Sequence, residues 1–402
     1  MPDNNLQKDY ILITSSNFPV GGAGANYLNL FCKGVKLNNG NISVLLLKGF
    51  SFGDFDTRHT RNNMTDYGVP FTYVSLIRRP KNAFYKILDD VICVFNLIIK
   101  LFALIPRQKE TVVLVYNNEF HTNIIIYFFL KLIGVKIVTF VPEYYDKLVF
   151  GGSLFRRLKW YGFLFNFSFL NKMSYKLIVF SYYLKEQYIK QEYRESDIII
   201  QPNLTDFDYW ELKDAKKLFT IGYSGSPSFK DGLQDLFKAI SILNEKGMGL
   251  SLLIVGDSPF GNSLIPDLLI ECEKLGIEKN VKFTGLVELP MVKQYLSGCD
   301  ILAITRPSTI QTQAGFPTKL GEYFASKKHV LVTNFGDIEK YFKKNVDVVM
   351  AQTGNPEDIA AQMQWMIEHK EEAERIRDTG YIRAFELLEY RRNVKRILDF
   401  IS

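Results

Sequence analysis

Gly315-Phe316-Pro317-Thr318-Lys319-Leu320-Gly321-Glu322-Tyr323-Phe324-Ala325-Ser326-Lys327-Lys328-His329-Val330-Leu331-Val332-Thr333 joins a turn, a helix start and a carboxylate in one short run. Pro317 and Thr318 favour opening a helix there, Pro in the first turn and Thr as a cap, with amide N–H groups facing outward at the positive end. Glu322 falls one turn further in. A carboxylate so near a phosphate-holding helix start does not itself hold phosphate, but it accepts hydrogen bonds from a ribose diol alongside. The run reads as a nucleotide site; an ordinary amphipathic helix followed by a buried strand is the plainer alternative, and the neighbouring motifs weigh against it.

The chain has 402 residues, more than one core usually holds, so two domains of roughly 150–200 residues are expected. Hydrophobic residues make up 47% of it, as in globular proteins, and 32 Phe with 22 Tyr exceed what core filling asks for. A formal net charge of +6 argues against a dedicated nucleic-acid binder, while local basic-aromatic clusters can still meet an anionic membrane. Cys32, Cys93, Cys272 and Cys299 lie far apart with no CxxC pair, which fits reduced thiols and excludes a zinc ribbon. A polar N-terminus leads directly into Tyr10-Ile11-Leu12-Ile13-Thr14 with no signal-peptide pattern, so a cytoplasmic location is expected.

Residues 10–14, 42–47, 112–116, 135–141, 177–180 and 198–200 read as strands alternating with helical stretches, hence a parallel sheet with βαβ crossovers. After the first comes Gly21-Gly22-Ala23-Gly24, where glycine lets a ligand approach the backbone, or where a tight turn simply needs positive φ. The spacing is not GxGxxG. Two later strand ends carry polar chemistry where open α/β sheets bind ligands: Asn117-Asn118-Glu119-Phe120-His121 and Pro142-Glu143-Tyr144-Tyr145-Asp146. Glu143 can accept hydrogen bonds from ligand hydroxyls, and His121 suits loop bracing as well as ligand binding.

Residues 84–105 are apolar around almost the whole helix, yet Lys100 interrupts them and they are too short to span a bilayer. Residues 155–170 couple Arg156, Arg157, Lys159 and Trp160 to an aromatic run, a composition suited to lipid headgroups or to a buried crossover helix with a solvated basic end.

A polar stretch over residues 202–217 reads as a hinge, and strands at 218–223, 250–255, 281–284, 301–304, 330–333 and 346–350 build a second doubly wound domain. Two such domains joined by a hinge suit enclosure of a donor and an acceptor. Tyr223-Ser224-Gly225-Ser226-Pro227-Ser228-Phe229-Lys230-Asp231-Gly232 opens a helix over 233–243; its small residues admit a ligand and Lys230 offers charge to a diphosphate, unless it is merely a solvated helix-start lysine. Residues 385–398 read as one amphipathic helix. No Asp-x-Asp pair stands at a strand end, so no metal is expected, and no Ser-His-Asp order or paired carboxylates point to a covalent nucleophile.

Pro317-Thr318-Lys319-Leu320-Gly321-Glu322-Tyr323-Phe324-Ala325, with Lys328 and Val330 beyond it, resembles the signature of the retaining, nucleotide-sugar-dependent glycosyltransferases of family 4, which have the GT-B architecture. Gly225 to Gly232 resembles their Gly-Arg…Lys-Gly element; only Lys230 is present, and Ser226 stands near the arginine's place. Gly285-Leu286-Val287 resembles the turn whose main chain reads the base edge, and the glycines at 21–24 resemble the first loop. Many relatives carry a first glutamate near the transferred sugar, and that position is Ala314 here.

The resemblance implies an α/β fold of GT-B architecture, two doubly wound Rossmann-like domains facing an interdomain cleft. Residues 1–204 would bind acceptor, residues 205–382 donor, and the last helix, 383–402, would pack back on the first domain. It implies a hexosyltransferase-like enzyme of polysaccharide or glycoconjugate biosynthesis that moves a sugar from a UDP- or GDP-sugar to a glycan or lipid-linked glycan, with retention, without metal, and with no cofactor beyond the donor. Gly22, Gly24, Gly225, Ser226, Lys230, Gly285, Leu286, Val287, Pro317, Thr318, Lys319 and Glu322 are the expected donor contacts; Lys230 and Glu143 are the expected catalytic residues, with Arg306 or Lys319 sharing the phosphate charge. Peripheral contact with an anionic membrane, on the inner face of the cell membrane, is also expected. A GT-B sugar-nucleotide epimerase and a catalytically silent binding subunit, the latter suggested by Ala314 and Ser226, are the alternatives. Sugar, base and acceptor are not written in the sequence.

Overall fold

Uninterrupted aliphatic runs become strands buried on both faces, and in this chain they build two separate sheets. The computed structural model describes residues 8–50, 62–105, 110–116, 120–147, 151, 154–212, 220–258 and 263–402. The 117–119 part of one expected ligand loop and the 218–219 start of one expected strand lie outside them. The compact units are Met1–Leu204 with Tyr390–Ser402, and Thr205–Glu389.

The first unit holds an eight-stranded sheet of order β3-β4-β2-β1-β5-β6-β7-β8. Its strands are β1 (Asp9–Thr14), β2 (Asn41–Leu46), β3 (Asn62–Met64), β4 (Pro70–Tyr73), β5 (Thr111–Tyr116), β6 (Lys136–Val141), β7 (Lys176–Val179) and β8 (Ile198–Ile200). Only β3 runs antiparallel, at the edge beside β4. The sequence reading missed these two strands, which are short, polar in β3 and opened by a proline in β4. Helices α1 (Ala23–Leu37), α2 (Ala83–Leu104), α3 (Phe120–Leu132), α4 (Leu154–Phe165) and α5 (Tyr182–Lys190) join the strands. Cys93, Leu97 and Leu101 of α2 share a core with Ile11, Val113 and Tyr127.

The helix Tyr390–Ile401 belongs to this unit and packs on α1 at Gly34, where a Cβ would lie 2.7 Å from the Val394 side chain. Arg396 fastens it, donating to the Ile200 carbonyl at 2.8 Å and to Gln201 Oε1 at 2.6 Å. The single helix read over 385–398 is in fact broken at Glu389, which is extended. The reason is a long-range contact: the Leu388 carbonyl accepts from Thr205 N at 2.8 Å and so leaves the helical ladder.

The second unit holds a six-stranded, all-parallel sheet of order β11-β10-β9-β12-β13-β14. Its elements are α6 (Phe207–Trp210), β9 (Thr220–Ser224), α7 (Leu233–Glu245), β10 (Ser251–Val255), α8 (Ile265–Lys274), β11 (Val281–Phe283), α9 (Leu289–Ser297), β12 (Ile301–Ile304), α10 (Ile310–Ala314), α11 (Thr318–Ala325), β13 (His329–Thr333), α12 (Ile338–Tyr341), β14 (Val349–Ala351), α13 (Pro356–Glu368) and α14 (Lys370–Leu388). The last strand starts three residues later than read, because Asn345, at φ +57°, closes a turn onto the Val348 carbonyl first. Strand order reverses between β9 and β12, which makes the carboxyl ends of those two strands the switch point of the sheet.

Candidate functional site

The loop after β9 is drawn tightly onto the end of β12. Gly232, at φ +64°, has the Thr305 carbonyl 1.9 Å from where a Cβ would be, and Thr305 Oγ1 donates to the Gly232 carbonyl at 2.9 Å. Any side chain at Gly232 would collide with backbone, so the glycine fixes the loop.

This closure carries Asp231 inward, to 2% exposure. Lys319, near the start of α11, donates to Asp231 Oδ1 at 3.1 Å and to the Tyr223 hydroxyl at 2.7 Å, with its ammonium 3.9 Å from the Tyr223 ring centroid. Arg306, from the end of β12, lies 3.6 Å from the same Asp231 oxygen and is itself buried, its Nε without a partner among the described residues. Ser228 donates to the other Asp231 oxygen. Burial alone would push the Asp231 carboxyl up, but Lys319, Arg306 and Ser228 outweigh it and hold it below the usual range. Burial lowers Lys319 to about 8, partly offset by Asp231 and reinforced by Arg306. Two buried cations thus share one carboxylate at the switch point, a concentration of positive charge suited to a polyanion.

Around it the strand-end loops converge through backbone. Gly225, at φ +129°, has Lys319 Nζ 2.9 Å from its absent Cβ; its N–H bonds the Val255 carbonyl at 2.8 Å; and its carbonyl lies 2.8 Å from where Gly256 would carry a Cβ. Gly256 in turn bridges to Gly285, and the Thr284 hydroxyl accepts from Gly256 N at 3.1 Å. Leu286 is 64% exposed beyond this turn, and Val287 is half-buried. Ser226 is exposed.

In α11, Pro317 occupies the cap position and Thr318 is already helical, so no side chain caps this helix and the expected Thr318 cap is not formed. Glu322 follows Lys319 by one turn. Its carboxyl makes no hydrogen bond among the described residues, and burial lifts it to about 7 against the pull of Lys319. Tyr323 fastens the helix to β9, its hydroxyl accepting from Ser224 N at 2.7 Å.

Lys230 is not part of the buried cluster. It lies on a short 3-10 turn, half-buried beside the exposed Phe229, and makes no ion pair among the described residues. Asp231, Tyr223 and Thr305 were not read as site residues. In sequence Asp231 stands beside a lysine at a helix start, and only the following Gly232 marks a loop forced inward.

In the first unit a pocket of about 300 Å³ lies at the carboxyl ends of β1, β5 and β6, lined by Ser16, Asn17, Gly22, Gly24, Tyr116 and Glu143 among others. Gly22 is the cap of α1 with no side-chain bond, and a Cβ at Gly24 would touch the Tyr116 hydroxyl at 3.3 Å. The Tyr145 hydroxyl bonds the Glu143 carboxylate, and burial followed by Glu143 raises the tyrosine pKa. Aromatic packing holds this loop: Tyr144 meets Phe163 and Phe167 at 5.3 and 4.9 Å between centroids, and Tyr145 meets Phe163 at 5.5 Å. Part of the aromatic run read as a headgroup segment is therefore internal bracing. His121, in the first turn of α3, stands 3.7 Å from Asp90, whose other partner is Arg79, and so braces α3 against α2.

Residues 205–383 match the family model described as glycosyl transferases group 1. No curated protein matches the sequence. Among solved structures the chain is similar to the Anabaena protein HepE in complex with UDP, at 15% identity over 98% of this chain and 99% of that one, TM-score 0.70. It is similar to sucrose-phosphate synthase from Thermosynechococcus elongatus, at 11% identity over 98% of each chain, TM-score 0.75. It is also similar to the lipopolysaccharide outer core galactosyltransferase WaaB, at 14% identity over 98% and 99%, TM-score 0.62. The fold these likenesses show is GT-B.

Proposed function

We propose that the chain is a glycosyltransferase that moves a sugar from a nucleotide diphosphate donor, UDP- or GDP-linked, to a hydroxyl of a glycan or lipid-linked glycan; the match of residues 205–383 to the group 1 glycosyl transferase model and the GT-B fold support the reading. The observation that carries this reading is Lys319 and Arg306 converging on Asp231 at the switch point of the second unit. The donor's diphosphate is the natural second anion for those cations. Glu322, a half-buried carboxyl with no hydrogen bond among the described residues, would accept from the ribose hydroxyls, and the backbone at Gly285, Leu286 and Val287 would meet the base. HepE is solved with UDP and with UDP-glucose, which makes uridine the first base to try.

The reaction needs negative charge stabilised on the departing diphosphate, and Lys319, Arg306 and the start of α11 supply it without a metal or other cofactor. Retention follows if the leaving phosphate accepts the acceptor's proton on the face it leaves from. In the first unit, Glu143 with Tyr145 and the hydroxyl-rich pocket would orient the acceptor. A lipid-linked acceptor would put the enzyme at the inner face of the cell membrane.

A thermal-shift panel of nucleotide diphosphates and nucleotide sugars tests the reading, since a ligand of the folded state raises the melting temperature by mass action. We expect a shift with UDP or GDP that Glu322→Gln reduces, the affinity falling by about 1.5–3 kcal/mol for a lost bond to a charged acceptor. No shift with any nucleotide, or one that Glu322→Gln leaves unchanged, removes the assignment.

A further inference from the structure

We propose that α2 lies flat on an anionic lipid bilayer and seats the first unit there as a monotopic contact; the inference goes beyond the nucleotide site and uses none of its residues. This helix buries one side only, through Asp89, Cys93, Leu97 and Leu101. Its other side presents Phe84, Leu88, Val91, Phe95, Ile99 and Phe102, each between 45% and 70% exposed. At the α-helical turn angle these six fall within an arc of about 80°, and no charged residue of the helix shares that arc. From Phe84 to Phe102 the stripe runs about 27 Å along the helix, longer than a scatter of isolated surface hydrophobics would give.

The charge around the stripe selects its occupant. Both acids of α2 are neutralised away from it by Arg79, which lies 3.0 Å from Asp89 and 2.5 Å from Asp90. Alongside, α3 and α4 contribute Lys131, Arg156, Arg157 and Lys159, all exposed, and contain no Asp or Glu. The three helices form one layer, with Phe102 meeting Phe129 at 5.1 Å and Phe120 meeting Phe165 at 5.4 Å between centroids. An apolar stripe in a layer whose neighbouring helices carry exposed cations matches hydrocarbon bordered by lipid phosphate. A second copy of the chain would set these cations against each other. Among the described residues no helix is long and apolar enough to cross a membrane, so the contact is made from one side. Trp160, the residue expected at the headgroups, is half-buried with its Nε1 enclosed, and the apolar face is that of α2 instead.

Flotation of the full chain with vesicles tests this. Vesicles of phosphatidylcholine mixed equally with phosphatidylglycerol should carry the protein, phosphatidylcholine alone should carry far less, and raised salt should weaken the binding. Phe95→Glu with Ile99→Glu should lower co-flotation at least tenfold while circular dichroism and melting temperature stay unchanged, both side chains being exposed. Arg157→Glu with Lys159→Glu should erase the preference for anionic vesicles. A wild type that stays at the bottom of the gradient, or an α2 variant that floats as before, overturns the proposal. So does a wild-type dimer in sedimentation velocity that the α2 variant splits, which would make the stripe a contact between copies. Flotation does not read turnover, so a failure here leaves the UDP response, and with it the proposed function, to stand or fall separately.

Discussion

Each unit places a glycine turn after the central strand of a parallel sheet, and the difference lies in the side chains that arrive from the neighbouring loops. After β1 they are the Ser16 and Tyr116 hydroxyls, Asn17 and the Glu143 carboxylate, a neutral-to-acidic lining. After β9 they are Lys319 and Arg306 around Asp231. One backbone device is thus lined by hydroxyls and a carboxylate in one unit and by paired cations in the other, and side chains from neighbouring strands make much of the difference. Fold similarity alone does not assign a role to either pocket, and the proposed roles rest on this contrast in charge.

Removing the charge balance in the second unit should have the largest effect. Asp231→Asn leaves Lys319 and Arg306 buried together without a counter-ion, and we expect a loss of about 3–5 kcal/mol in stability, read by chemical denaturation. A bound nucleotide diphosphate replaces the missing anion, so UDP should raise the melting temperature of Asp231→Asn more than that of wild type. An equal rise would mean that the diphosphate does not meet these cations.

Next comes Lys319→Ala, for which loss of one charge donor on a leaving group costs on the order of 3 kcal/mol, about a hundredfold in turnover. The pH dependence sharpens this. Lys319 in the folded protein releases its proton near pH 8, below its unfolded value, so UDP affinity should fall as pH rises through about 8. Folding stability should respond in the opposite sense, rising across the window between 8 and the unfolded value, where the unfolded chain binds more protons. Titration calorimetry across that range would detect a proton taken up on binding; an affinity flat to pH 9 argues against a Lys319–phosphate contact.

Glu143→Gln tests the other pocket. Donor affinity should be unchanged while turnover drops by about a hundredfold, the lower end of what loss of acid–base help costs. If nucleotide binding suffers instead, the contrast between the two pockets is wrong. The smallest effect is expected at Lys230, outside the buried cluster: Lys230→Ala should cost at most about 1 kcal/mol in kcat/KM, as for a partly solvated charge.

Much of this was legible before the fold. Strands such as Thr111–Tyr116, buried at all six positions, announce themselves by aliphatic runs, and Lys319 and Glu322 stood in a motif with a mechanism. Asp231 did not, because its burial comes from Thr305 closing over Gly232, a contact between residues 73 apart in sequence. Nor did the exposure of α2: periodicity tells which residues are apolar, but not which side the rest of the protein leaves uncovered. The break at Glu389 escaped for the same reason, since Thr205 takes the Leu388 carbonyl from the far end of the unit.

The helix that fits over Gly34 has a consequence for synthesis. The first unit begins at β1 but is completed by Tyr390–Ile401, so on a ribosome the face of α1 around Gly34 stays bare until Val394 emerges. A nascent chain that has reached Glu389 contains all of the second unit and an unfinished first one. The order of completion is thus the reverse of the order of initiation, and the unit started first is the one that waits longest with apolar surface uncovered.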